Sequence, residues 1–182
     1  MIHHLYYENS LIFWNDKLLL VLAEAEYWGQ TAMFDCMGAL TTKRNDDPLH
    51  ASRAFDKDRD GFAIASGGGV IVLEELQHAK ARGARIYCEL VAYAANSDGY
   101  DMVAPSSIGG EQCMKLAIEE ANRVGGEKRI DYINTHGTST PVGDISELKA
   151  IKNVFTELGY QPFVGSTKSL SGHGLGKCSM LD

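Results

Sequence analysis

The sequence predicts an α/β fold, on three observations. Short β-branched apolar runs alternate with stretches whose apolar residues recur at helical spacing, and glycines punctuate the joints between them. Two of the short runs each empty into a loop that sets a histidine against glycine among Ser and Thr hydroxyls. The composition is globular: of 182 residues, 45% are hydrophobic and 23% charged, with 19 Gly and only 4 Pro. A chain of this length buries roughly 70% of its unfolded surface and suits one domain, or one lobe of something larger.

Met1 to Gln30 stands apart, holding both tryptophans with little glycine and no clear period. From Thr31 the alternation begins. Gly69 to Glu75 (GVIVLEE) reads as a short buried strand after a triple glycine, and Glu75 to Arg82 as a helix ended by Gly83. Ala84 to Ala94 (ARIYCELVAYA) predicts a second strand, closed by the turn-rich Asn96-Ser97-Asp98-Gly99. Gly110 to Val124 carries Cys113, Leu116, Ala117 and Ala121 at helical spacing, and Gly125-Gly126 stop it. Ile130 to Asn134 is a strand leading into the first histidine loop. A helix follows with Ile145, Leu148, Ile151, Val154 and Phe155 on one side, Asp144 as its cap and Glu147 completing a capping box. Pro162 to Gly165 is a last short strand, and Ser166 to Gly174 the second histidine loop.

Composition also excludes. Seventeen Lys and Arg against 24 Asp and Glu give a net charge of −7, without the basic cluster that nucleic acid requires. The longest apolar run, Leu18 to Ala23, is far too short for a membrane span, and the His-rich start does not resemble a signal peptide. Cys36, Cys88, Cys113 and Cys178 are scattered, with no CxxC pair, which points to a reducing, cytoplasmic setting.

The two histidine loops carry the chemistry. In an α/β sheet, ligands bind at the carboxyl ends of strands, and glycine beside His136 and His173 lets backbone approach a ligand closely. Imidazole N–H groups donate to a developing oxyanion, and Lys168 adds positive charge near His173. A single histidine is most often just a hydrogen-bonded loop residue; two loops of matched design argue for shared chemistry. Gly172 to Cys178 (GHGLGKC) is a near miss to a phosphate-binding loop, with Ser171 where the first glycine belongs and Cys178 where Ser or Thr belongs. Zinc on His136, His173 and Asp144 fails because no histidine pair has the i, i+4 helical spacing, so no metal is expected.

The text from Asn134 through His136-Gly137-Thr138-Ser139-Thr140-Pro141 to Asp144, then Glu147, resembles the first histidine motif of the β-ketoacyl-acyl-carrier-protein synthases. Gly165 to Gly176, with Lys168 and His173, resembles their lysine and second-histidine motif, and Phe55-Asp56 with Arg59-Asp60-Gly61-Phe62 their central signature. Phe34 to Leu40 and Asp98 to Ser106 are similar to the bacterial type I branch. The likeness runs from about Thr31 to Gly176. It implies a thiolase-like αβαβα layered sandwich, here mostly the C-terminal half and incomplete, in a family that is usually homodimeric. It implies a decarboxylative Claisen condensation of an acyl thioester with malonyl-acyl-carrier-protein, with acyl carrier protein as partner. No cofactor is implied, because the phosphopantetheine arrives on the carrier.

By the same resemblance His136 and His173 hold the malonyl thioester oxygen, Lys168 supports the second histidine, and Glu147 is the usual carboxylate support. Thr138 and Thr140 bind the phosphopantetheine arm, and Phe34 and Met37 line the acyl pocket. The departures are as specific. The family nucleophile, a Cys in a small-residue elbow, matches none of the four cysteines, and the C-terminal Gly-Phe-Gly-Gly segment is absent. Residues 1–30 read as foreign to the family, from a misread or recombined start, and 31–182 as a partial synthase domain truncated at both ends. The chain is therefore expected to be inactive alone. A rival reading is a non-catalytic partner of the chain-length-factor kind that binds acyl carrier protein; such partners usually lose the histidines that are present here. Lys43, Arg44, Lys57 and Arg59 are the basic residues available for docking an acidic carrier.

Overall fold

A computed structural model describes residues 11–14, 17–101, 104–125 and 129–176. Strands β1 (Leu11–Trp14), β2 (Lys17–Glu24) and β3 (Gly67–Glu74) form an antiparallel sheet in that order. The apolar run Leu18 to Ala23 lies inside β2, which pairs with β3 along its whole length, Leu18 opposite Leu73 and Leu22 opposite Gly69. Leu18 and Leu22, on one face of the strand, are buried. Gly68 lies against Leu22 and Ala23 of β2, and β3 takes in the whole glycine triplet.

Helix α1 (Trp28–Cys36) follows β2, and α2 (Leu76–Ala81) follows β3. Glu75 caps α2 by accepting from the His78 backbone N–H at 2.7 Å, and Gly83 ends it at φ +68°. Helix α3 (Ser107–Gly125) packs on α4 (Gly143–Glu157), and both cover a parallel pair, β4 (Tyr132–Asn134) and β5 (Phe163–Gly165). The core is Ile151, Val154 and Phe155 of α4, with Met114 and Ile118 of α3, Ile133 of β4 and Val164 of β5 against them. The helical period holds with small rotations: Met114 and Ile118 face the core while Leu116 is exposed, and on α4 Ile145 is exposed while Asp144 is buried.

Four expectations are corrected. Ala84 to Ala94 is not a strand: it carries no regular structure and leaves Tyr87 and Leu90 exposed. A β-prone run becomes a strand only when a neighbour completes its hydrogen-bond ladder. The capping box on α4 does not form, because its cap residue Val142 makes no side-chain cap bond, and Asp144 and Glu147 reach other loops instead. The second histidine loop is partly helical, with α5 spanning Lys168–Ser171.

The run Gly69 to Glu75 is a strand but not a buried one: on β3 Val70 is 60% and Val72 54% exposed. Among the described residues no helix is long and apolar enough to cross a membrane.

Candidate active site

Because β4 and β5 are parallel, Asn134 and Gly165 end side by side and send both histidine loops from the same edge. The loops are then laced together. Thr135 donates its N–H and its hydroxyl to the Gly165 carbonyl at 2.8 and 2.9 Å, and Ser166 Oγ donates to the Gly137 carbonyl at 2.7 Å. Asn134 accepts from the Thr167 N–H at 3.2 Å through its side-chain oxygen. Gly137 permits this closeness: at φ +24°, a Cβ there would lie 2.6 Å from Thr135 Oγ1 and 2.8 Å from Ser166 Cβ.

The lacing brings the two imidazoles together. His136 and His173 meet edge to face, ring centroids 5.1 Å apart and planes at 90°. His136 is exposed and His173 buried. Behind His173 stand Phe62, at 5.1 Å and 82°, and then Phe34, at 5.3 Å from Phe62. The His173 backbone is pinned on both sides, donating to the Ala63 carbonyl at 2.7 Å and accepting from the Ala65 N–H at 3.1 Å. Phe62 is fixed in turn, exchanging backbone hydrogen bonds with Ala39 and Thr41 at 3.0 Å each. Asp60, just before it, accepts from Thr41 Oγ1 and the N–H groups of Thr42 and Lys43. Burial works to raise the Asp60 carboxyl, but those donors together hold it below the ordinary carboxylate value.

Lys168 is only 1% exposed, with Nζ 3.4 Å from the carbonyl of Thr135, the residue before His136. Ser52 Oγ donates to the Lys168 carbonyl at 2.5 Å. A buried cation held against the residue before His136 favours negative charge that develops nearby.

The two carboxylates in the first turns of α4 serve the first histidine loop. Glu147 accepts from the backbone N–H groups of His136 and Gly137, one on each oxygen, at 2.7 and 2.8 Å. Asp144, 1% exposed, accepts from the N–H groups of Ser139 at 3.1 Å and Phe55 at 2.8 Å. Ser139 and Phe55 both hold positive φ, +74° and +67°, a strained region for side chains other than glycine. Arg59 approaches Asp144 at 3.4 Å and donates to the carbonyls of Thr140, Pro141 and Asp56. Arg59 is thus an internal clamp, its side chain 12% exposed, and not a free docking charge.

The roles of Asp144, Arg59 and Phe62 were not legible beforehand. The available signal was the spacing of Asp144 and Glu147, one turn apart on α4 directly after the histidine loop. Of the remaining expected site residues, Thr138 is buried with Oγ1 3.3 Å from Thr140 Oγ1. Phe34 joins the ring stack, whereas Met37 sits past the end of α1, 50% exposed. Cys36 and Cys88 are exposed, Cys113 donates to the Ala94 carbonyl, and Cys178 lies outside the described residues.

Comparison with known proteins identifies the family. The family model "Beta-ketoacyl synthase, C-terminal domain" matches residues 87–182, and "Beta-ketoacyl synthase, N-terminal domain" matches residues 23–79. The chain is 58% identical to a 3-oxoacyl-[acyl-carrier-protein] synthase 1 of Haemophilus influenzae and 55% identical to one of Escherichia coli. Each likeness covers 85% of this chain but 36% of the relative, so the chain spans little more than a third of their length. A solved β-ketoacyl synthase from Burkholderia phymatum superposes with a TM-score of 0.83 at 40% identity, over 91% of this chain and 39% of that one. A ketosynthase solved in complex with a type II PKS acyl-carrier protein superposes with the same score at 34% identity, covering 91% and 41%.

Proposed function

Because the chain belongs to the β-ketoacyl synthase family, we propose that its residues serve a 3-oxoacyl-acyl-carrier-protein synthase of fatty-acid biosynthesis. The fold is that of the thiolase-like ketosynthases, present here in part. The observation that carries the reading is the edge-to-face pair of His136 and His173, with buried Lys168 bonded to the residue before His136.

In the proposed reaction the malonyl thioester loses CO₂: the bond between its carboxylate and α-carbon breaks, and the electron pair moves onto the thioester oxygen as an enolate. His136 and His173 donate ring N–H groups to that oxygen, each worth on the order of 3 kcal/mol when aimed at developing charge. Lys168 supplies fixed positive potential, and Glu147 holds the turn that carries His136. The α-carbon then attacks the acyl thioester carbon, and the C–S bond to a cysteine breaks to leave a thiolate. Thr138 and Thr140 receive the phosphopantetheine arm, and Phe34 and Met37 the acyl chain. The partner is an acyl carrier protein, and the assembly a homodimer, as is usual in the family.

None of the four cysteines of the sequence serves as the nucleophile in this reading, so the chain by itself condenses no acyl groups. Decarboxylation needs no such cysteine, which separates the two claims experimentally. The purified chain is incubated with malonyl-carrier, with and without acyl-carrier, and products are followed by mass spectrometry. Acetyl-carrier should form without any β-ketoacyl product, and His173→Ala should slow its formation about 10²-fold or more. A condensation product would remove the cysteine claim, and equal decarboxylation by His136→Ala or His173→Ala would remove the paired-donor reading.

A further inference from the structure

Glu24 ends β2, opposite Gly67 of β3. Its carboxylate spans two distant parts of the chain. One oxygen accepts from the backbone N–H of Gly176 at 3.0 Å, 152 residues away, and the other from Gln30 Nε2 at 3.1 Å. Gly176 closes the short stretch that follows His173. A Cβ on Gly176 would lie 2.8 Å from the same Glu24 oxygen and 3.4 Å from the Ala23 carbonyl, so strand end and loop are in direct contact.

His173 is thereby framed from two directions. On one side the backbone of Ala63 and Ala65 holds it, and a Cβ on Gly172 would meet the Ala63 carbonyl at 2.9 Å. On the other side the chain runs through Gly174, Leu175 and Gly176, of which the two glycines impose little direction of their own. There the Glu24 contact is a charge-assisted hydrogen bond from a side chain, stronger than a neutral one. An imidazole that must meet both His136 and a substrate oxygen tolerates little error, since about 1 Å of misplacement can cost about 10²-fold in rate.

We propose that Glu24 is a positioning residue for His173, its carboxylate tethering the stretch after the histidine to the end of β2. The functional meaning rests on the paired-donor reading above, but the tether is tested independently of it. In the isotope-labelled full chain, two quantities are read by NMR: the nuclear Overhauser effect between the His136 and His173 rings, and the exchange rate of the Gly176 amide proton. Glu24→Ala should abolish the ring–ring effect and speed Gly176 exchange about tenfold or more.

Glu24→Gln should restore both in large part, its neutral bond being weaker than the carboxylate's, because its amide oxygen still accepts from Gly176 while its NH₂ can serve Gln30 Oε1, which is buried without a partner among the described residues. Should Glu24→Ala not fold, Gly176→Ala serves instead, since the added Cβ displaces the carboxylate without removing it. It should weaken the ring–ring effect in the same way. An unchanged ring–ring effect in whichever of the two folds overturns the tether. So does a Glu24→Gln chain as impaired as Glu24→Ala, which would mark a purely structural residue. Failure of the unaltered chain to decarboxylate malonyl-carrier bears on the reading of the pair and leaves these NMR outcomes intact.

Discussion

Asp144 accepts a hydrogen bond at 2.8 Å from the backbone N–H of Phe55, a residue 89 positions earlier in the chain. Its other oxygen takes the N–H of Ser139, and Arg59 stands beside it. One buried carboxylate therefore fastens the Phe55–Phe62 segment, which supplies the aromatic floor of the site, to the loop that carries His136.

Asp144→Ala should destabilise the chain by about 3–5 kcal/mol, because it leaves two backbone donors without their buried acceptor and removes the carboxylate beside Arg59. Asp144→Asn keeps one acceptor oxygen and should fall between the two. Urea unfolding midpoints measure this, and a loss under about 1 kcal/mol for the alanine variant would be too small for a buried clamp.

Ser139→Gly should stabilise the chain. Ser139 is fully buried at φ +74°, and its hydroxyl has no partner among the described residues. Glycine relieves the backbone strain and removes the unpaired oxygen, a gain of about 1 kcal/mol after the entropy glycine adds to the unfolded chain. Ser139→Ala removes only the oxygen and should gain less. The comparison is read from the same urea curves, and a glycine variant less stable than the alanine variant contradicts the strain.

Gly137→Ala should do the opposite, costing about 2–3 kcal/mol through overpacking against Thr135 and Ser166 at a positive φ. The ring–ring contact of His136 and His173 should be lost with it, since Glu147 holds this same turn. Circular dichroism melts and the ring NMR signals report the two effects separately.

An acid limb should appear in the stability profile. Glu74 bonds Arg82 at 2.6 Å and also contacts His78, and these partners, Arg82 foremost, hold its carboxyl down to about 2 from an ordinary 4.5. A carboxyl depressed on folding contributes stability that is complete above its unfolded value and lost as pH falls through the folded one. The loss should therefore run from about pH 4.5 to about pH 2, and Glu74→Gln should flatten that part of the profile. Denaturant midpoints at several pH values check it, and added salt should shrink the effect because the pair is near the surface.

The legible features were local ones. The apolar period of α4 marked Ile151, Val154 and Phe155, and those three form the core. The strand runs ending at Asn134 and Gly165 marked where the histidine loops begin, and the loops do leave the same edge. Ala84 to Ala94 misleads because its composition is that of a strand while the ladder partner that would make it one is not among the described residues. Asp144 and Glu147 mislead for a related reason. At the head of a helix a carboxylate has two uses, its own helix's donors or a neighbouring loop's, and spacing along the chain is the same for both.

Element order, the amphipathic faces and the residue types at the two histidine loops followed from short-range chemistry that the chain carries within a few residues of itself. What the fold alone decided is which distant groups share a hydrogen bond: Asp144 with Phe55, Glu24 with Gly176, Arg59 with the proline turn. Such bonds leave no periodic trace in one dimension, since donor and acceptor are ordinary residues until packing removes water from around them and leaves each only the other.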